Sequence, residues 1–134
     1  AAIETLAQLL RSALGDRARV REEKPFAAGA ESEPEPDIAV LAPGDPFGAL
    51  PTRAYLIVEV ADTSLRKDRG TKAATYAKAG VPEYWIVNLR DRVIEVHLAP
   101  QGDRYTRTAL VRPGDQIAPS AFPDARLDVS RFVR

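Results

Sequence analysis

The sequence contains no cysteine. Disulfide frameworks, thiolate zinc sites and cysteine nucleophiles are excluded together, and the chain suits a reducing compartment. No apolar run approaches the roughly 18 residues of a membrane-spanning helix, and no secretory leader is visible. Charge of one sign is not in excess: 19 Lys and Arg stand against 19 Asp and Glu, for a formal net charge of zero. A polyanion binder is usually basic over its whole domain, so any nucleic-acid contact must come from a local patch. Several enzyme motifs are missing as well. There is no Walker loop, no glycine-rich dinucleotide fingerprint and no HExxH helix, and no nucleophile elbow of a Ser-His-Asp hydrolase. The chain lacks an initiator Met, and its first residue already reads as helix. A trimmed N-terminus is expected, with the cytoplasm as location.

What is present is an ordinary globular balance, 45% hydrophobic and 28% charged over 134 residues. That is enough for one domain over 1–134 with one modest core. In residues 2–14, Ile3, Leu6, Ala7, Leu10 and Leu14 recur at helical spacing, and Gly15 is a natural stop. Residues 18–23 read as a short strand, 24–36 as a Pro- and Glu-rich loop, 37–41 (DIAVL) as a strand, and the Pro- and Gly-rich run after it as a loop. Residues 54–61 (AYLIVEVA) are the strongest strand. Leu56, Val58 and Val60 take one face and Tyr55, Ile57 and Glu59 the other. Both faces are largely apolar, as in a sheet covered on both sides.

A helix is predicted over 66–79, capped by Asp62, Thr63 or Ser64 and stopped by Gly80. Gly70 inside it costs roughly 1 kcal/mol relative to Ala, which predicts close packing there or a later start. Strands at 83–88 and 92–98 form a hairpin across Leu89-Arg90-Asp91. A third strand follows at 105–111, and the rest reads as irregular. The order is αβββαβββ, a mixed α/β (α+β) sheet.

The chemical oddity is Glu59, a lone carboxylate inside LIVEV. Buried there, it must be paired, protonated or bound to a cation. Asp37 opens a second apolar strand. Paired strands lie about 4.8 Å apart, so two carboxylates at matching heights repel unless a cation sits between them. A hard divalent metal wants that oxygen donor set, and the backbone carbonyl of Val60 is the simplest third ligand. Such a metal polarises a phosphoryl oxygen and lowers the pKa of a bound water. A nearby lysine orients that water or offsets developing charge. Tyr76, Tyr84 and Trp85 read as core residues, the first with a wet hydroxyl. His97 and Glu95 read as surface. Arg66, Lys67, Arg69 and Lys72 form a basic cluster, ordinarily an exposed helix face, that contacts phosphates if it lies beside the metal.

Pro36-Asp37 followed by Glu59-Val60-Ala61 resembles the PD-(D/E)XK signature, with Ala61 where the lysine usually stands. SEPEPD (32–37), VEVADTSLRKDRGTK (58–72), YAKAGVPEYWIV (76–87) and the late PGD (113–115) are similar to the Uma2 family, also called DUF820. The resemblance spans almost the whole chain. It implies a restriction-endonuclease-like core, Mg²⁺ (or Mn²⁺) dependence and a nucleic-acid substrate, DNA before RNA. It also implies a catalytic lysine moved onto the following helix, where Lys72 is the matching position. Asp68, one turn earlier, can hold that ammonium by an i,i+4 contact. Glu33, more than Glu35, matches a position that joins the metal shell through water. The expectation is a metal-dependent endonuclease using Asp37, Glu59 and Lys72. The competing reading is a non-catalytic nucleic-acid-binding or protein-interaction module on the same fold, favoured by Ala61 and the zero net charge. A third is a homodimer in which YWIV or its neighbouring strand pairs across a two-fold.

Overall fold

The computed structural model describes residues 1–29, 32–44 and 50–134. Helix α1 (Ala2–Leu14) buries Leu6, Ala7, Leu10 and Leu14, the stripe that its spacing predicts. Gly15 ends it at φ 55°, a left-handed value that costs glycine little. A 3₁₀ turn (Gly15–Arg17) then leads into β1 (Arg19–Glu22). Strands β2 (Ile38–Leu41) and β3 (Leu56–Ala61) follow. The loops read at 24–36 and after residue 41 connect them; Ala30, Glu31 and residues 45–49 lie outside the described residues.

After β3 comes one continuous helical stretch in three parts: α2 (Leu65–Lys67), a π-helical turn (Asp68–Lys72) and α3 (Ala73–Lys78). The remaining strands are β4 (Glu83–Asn88), β5 (Val93–Gln101), β6 (Arg104–Val111) and a short pair, β7 (Gln116–Ile117) with β8 (Leu127–Asp128). The main sheet runs β1-β2-β3-β4-β5-β6. Its neighbours are antiparallel except β3 and β4, which are parallel. A parallel pair needs a long crossover, and the α2–α3 stretch supplies it.

Each face of the sheet has its own cover. Ile38, Val40, Leu56, Val58, Trp85 and Val87 meet α1 and the C-terminal segment with Leu127 and Phe132. On the other face, Ala39, Leu41, Ile57, Tyr84 and Ile86 meet Ala73 and Tyr76 of α3, with Phe26 and Ala28 from the loop. The near-continuous apolar runs of β2, β3 and β4 follow from this two-sided burial. Among the described residues no helix is long and apolar enough to cross a membrane.

Several local expectations are corrected. Neither reading of Gly70 holds. The helix starts at Leu65, and a Cβ on Gly70 would meet nothing within 4 Å. Gly70 lies instead in the π-turn, exposed. Ser64 stands at the N-cap position without a side-chain cap bond, and its hydroxyl donates to Asp68 Oδ2 at 2.9 Å. The β4–β5 link has four residues, since Asn88 pairs with Val93. Asn88 Oδ1 accepts the Asp91 N–H at 3.0 Å and closes that turn. β5 runs on to Gln101, and β7–β8 forms where irregular chain is expected, too short for a periodic signal. The YWIV strand is β4, held on both edges by β3 and β5. It and β5 have no free edge for a two-fold pairing; β1 and β6 are the outer strands.

Because Gly70 has a helical setting and open space, Gly70→Ala is expected to stabilise the fold by about 0.5–1 kcal/mol. Urea unfolding measures this as a higher midpoint at unchanged slope.

Candidate active site

β3 alternates, so Glu59 shares a face with Ile57 and Ala61, the face under α3. Its exposure is 3%. The last β2–β3 pair is Ile38 with Val58. One further step in that antiparallel register sets Asp37 opposite Glu59, and directly opposed residues project to the same face. Asp37 is half-buried at the sheet's end, and its Oδ2 accepts the Val60 N–H at 2.7 Å. The structure thus brings together the two carboxylates that the sequence singles out.

The crossover supplies the rest. Tyr76, buried on α3, donates its hydroxyl to Glu59 Oε2 at 2.8 Å. Lys72 Nζ stands 3.3 Å from Glu59 Oε1 and 3.0 Å from Asp68 Oδ1. Asp68 is fully buried, with Ser64 on its other oxygen. Lys72 therefore bridges two buried carboxylates, and the i,i+4 contact with Asp68 is formed. The expectation of a wet Tyr76 hydroxyl is corrected: the ring is core, and the hydroxyl is buried with it and orients Glu59. An aromatic hydroxyl one turn after a site lysine is the signal that could have found it.

Burial raises the Glu59 pKa to about 7; Tyr76 and Lys72 pull it down, and the charges of Asp37 and Asp68 push it further up. For Lys72, burial lowers the pKa but Asp68 and Glu59 outweigh it, so the net shift is upward and the ammonium stays charged. Burial and then Glu59 raise the Tyr76 phenol, keeping it a donor.

A cleft of about 460 Å³ opens over Glu59, Lys72 and Tyr76, walled also by Glu33, Glu35 and Lys67; Asp37 is not on its lining. Glu33 and Glu35 are exposed on its wall. Lys67 and Thr71 also line an adjoining hollow with Arg66 and Gly70. Arg69 is not on this cleft. Its guanidinium grips Glu95 on β5, with Nε 2.9 and 3.2 Å from the two oxygens and Nη2 also on Oε2.

Glu95 is 5% exposed, and His97 Nε2 lies 3.3 Å from its Oε1. The reading of this pair as surface is corrected: their face of β5 is the one beneath the helical crossover, not the solvent. His97 packs near the rings of Tyr84 and Tyr105, and burial lowers its pKa.

Among the described residues no three or more His, Asp or Glu side chains gather as a metal cluster. The Asp37–Glu59 pair nonetheless fits a hard divalent cation. It offers oxygen donors, with Glu59 on the wall of the cleft, and contains a carboxylate that burial and like charge make costly to ionise.

A six-stranded mixed sheet covered on both faces, with a helical crossover joining its parallel pair, is a restriction-endonuclease-like α+β fold. The Uma2 family, described as "Putative restriction endonuclease", matches residues 1–130, and the chain belongs to that family. A crystal structure of "a putative nuclease belonging to DUF820" from Anabaena variabilis ATCC 29413 superposes at a TM-score of 0.78 and 14% identity, over 98% of this chain and 78% of that one. At that identity the likeness is one of fold. No curated protein matches.

The raised Glu59 pKa has a signed consequence for the metal-free protein. The folded state binds the extra proton between the ordinary carboxylate range and about pH 7. The contribution of neutral Glu59 is fully present at pH 4.5 and below, and is lost as pH rises through 7. Across that window Glu59→Gln is expected to remove a fall in stability on the order of 3 kcal/mol. Melting temperature against pH in chelator, wild type beside Glu59→Gln, reads it out.

Proposed function

We propose that the protein is a metal-dependent nuclease that hydrolyses phosphodiester bonds of nucleic acid, DNA in the first instance. Asp37, Glu59 and the Val60 carbonyl are the residues to hold Mg²⁺ or Mn²⁺. The observation that supports this best is the register that sets Asp37 opposite Glu59, with Lys72 Nζ 3.3 Å from the latter. Bound there, a divalent cation activates water and offsets charge on the phosphate oxygens.

The chain's own groups do the remainder. Tyr76 fixes the Glu59 carboxylate by holding Oε2. Asp68 keeps Lys72 charged and aimed at the cleft, where its ammonium can orient the attacking water and stabilise charge building on the phosphate. Glu33 and Glu35 on the cleft wall can accept hydrogen bonds from waters around the cation. Arg66 and Lys67, exposed beside the cleft, are placed to meet phosphates. Ala61, the position where the related signature usually has its lysine, is 1% exposed, so the helix-borne Lys72 takes that role from above the strand. A homodimer setting two clefts on one duplex would use β1 or β6 at its seam.

The test is plasmid nicking with Mg²⁺ or Mn²⁺. Wild type is expected to cut, with Asp37→Ala and Lys72→Ala each slower by about 10²-fold or more. Equal rates for wild type and Asp37→Ala defeat the catalytic reading. Mn²⁺ should also raise the melting temperature of wild type but not of Asp37→Ala. A melt that responds to DNA and ignores Mn²⁺ favours the non-catalytic module.

A further inference from the structure

The π-turn carries two cations three residues apart, and each is committed to a different buried carboxylate. Lys72 reaches Glu59 on β3, and Arg69 reaches Glu95 on β5. The two acids stand in one row of the sheet, because Glu59 pairs with Ile86 and Ile86 pairs with Glu95. They are therefore two strand spacings apart, about 10 Å, with Ile86 between them. In an α-helix residues three apart lie on one face, nearly one above the other. The i→i+5 bonding of a π-turn widens the turn and splays residues 69 and 72, which lets one turn straddle Ile86 and reach both acids.

Two further contacts tie the turn to the same spot. The Tyr84 hydroxyl donates to the backbone carbonyl of Asp68 at 2.9 Å, and the Asp68 side chain takes Ser64 and Lys72. Glu95 has no place in the hydrolytic centre, yet it is buried and held by a bidentate fork that fixes orientation as well as position.

Resting on the nuclease reading, we propose that the Arg69–Glu95 pair is a latch that positions the π-turn over the sheet and so sets where Lys72 stands against Glu59. Arg69 is then a positioning residue and not a phosphate contact. Its pairing with Glu95 pulls that side of the turn down onto β5, and Lys72 takes up its place at β3 as a result. Half of Arg69 remains open to solvent, with a side-chain exposure of 51%, so the rival reading, in which it meets nucleic acid, makes a different forecast for the same variants.

The experiment uses Arg69→Ala and Glu95→Gln in the full chain. Glu95→Gln keeps shape and hydrogen-bonding capacity while removing the charge that holds Arg69. Each folded variant, checked by its melting curve, is labelled with an amine-acetylating reagent and read by mass spectrometry. Lys72 is compared with the exposed Lys24, Lys67 and Lys78. Several-fold faster labelling of Lys72 alone, in both variants, supports the latch; unchanged Lys72 labelling in Glu95→Gln overturns it. This readout needs no cleavage, so a wild type inactive on DNA defeats the nuclease reading and leaves the latch to be judged on labelling.

In cleavage assays the latch lowers kcat in both variants, by roughly 10²-fold for a misplaced catalytic group, at unchanged KM. A phosphate contact behaves otherwise. Arg69→Ala would then raise KM and flatten the salt dependence of binding by about one phosphate. Glu95→Gln, which frees the guanidinium, would tighten binding and spare kcat, and that pattern also overturns the proposal.

Discussion

The structure around the cleft depends on one costly placement, the carboxylate of Glu59 in an apolar strand with 3% exposure. An unpaired charge at such a depth costs several kcal/mol, and the neighbouring side chains are arranged to meet that cost. Tyr76 holds one oxygen, and Lys72 stands at the other. Lys72 in turn needs Asp68 to stay charged and directed, and Asp68, itself fully buried, needs Ser64. Glu59, Asp68 and Tyr76 are buried, and Lys72 and Ser64 are half-buried beside them. The network is a chain of dependence, so breaking it in the middle strands charge on both sides.

Topology explains why these groups meet. β3 and β4 form the one parallel pair of the main sheet, and a parallel pair obliges the chain to leave the end of β3 and return across the face. The return passes directly above Glu59. The crossover helix therefore cannot avoid the carboxylate, and the side chains at positions 68, 72 and 76, one helical turn apart, are the ones laid over it. On the other side of β3 the antiparallel register with β2 delivers Asp37. A shift of one residue would send Asp37 to the face packed against α1. The apolar pattern of β2 resists that slip, because Ile38 and Val40 belong under α1 and Ala39 and Leu41 under α3.

Much of this is legible in the sequence, and each failure has a physical cause. α1 matches its predicted limits, because a strong 3.6-residue period with a following glycine leaves little freedom. β3 and β4 were legible as long apolar runs, and Asp37 with Glu59 as charges that do not belong in them. The same argument applies to Glu95, a carboxylate between Ile94 and Val96, yet alternation there reads as inside and outside. Alternation separates the two faces of a strand but does not say which is covered; here both are. Tyr76 was read as core for a related reason. Its ring is core, and only the placement of Glu59 shows that its hydroxyl has a partner. The π-turn has no sequence signature beyond an unexplained glycine, and β7–β8 is too short for any period.

The cleft's formal charges have a consequence for the order of events. Glu33, Glu35, Asp37, Glu59 and Asp68 against Lys67 and Lys72 leave three negative charges when all seven are ionised. A phosphate approaching that surplus is repelled, and because the chain carries no net positive charge the offset must come from local cations such as Arg66 and Lys67. A divalent cation held there would cancel two of the three. On the reading proposed above, the ion would enter first and the nucleic acid second, and depleting the ion would weaken the hold on the nucleic acid as well.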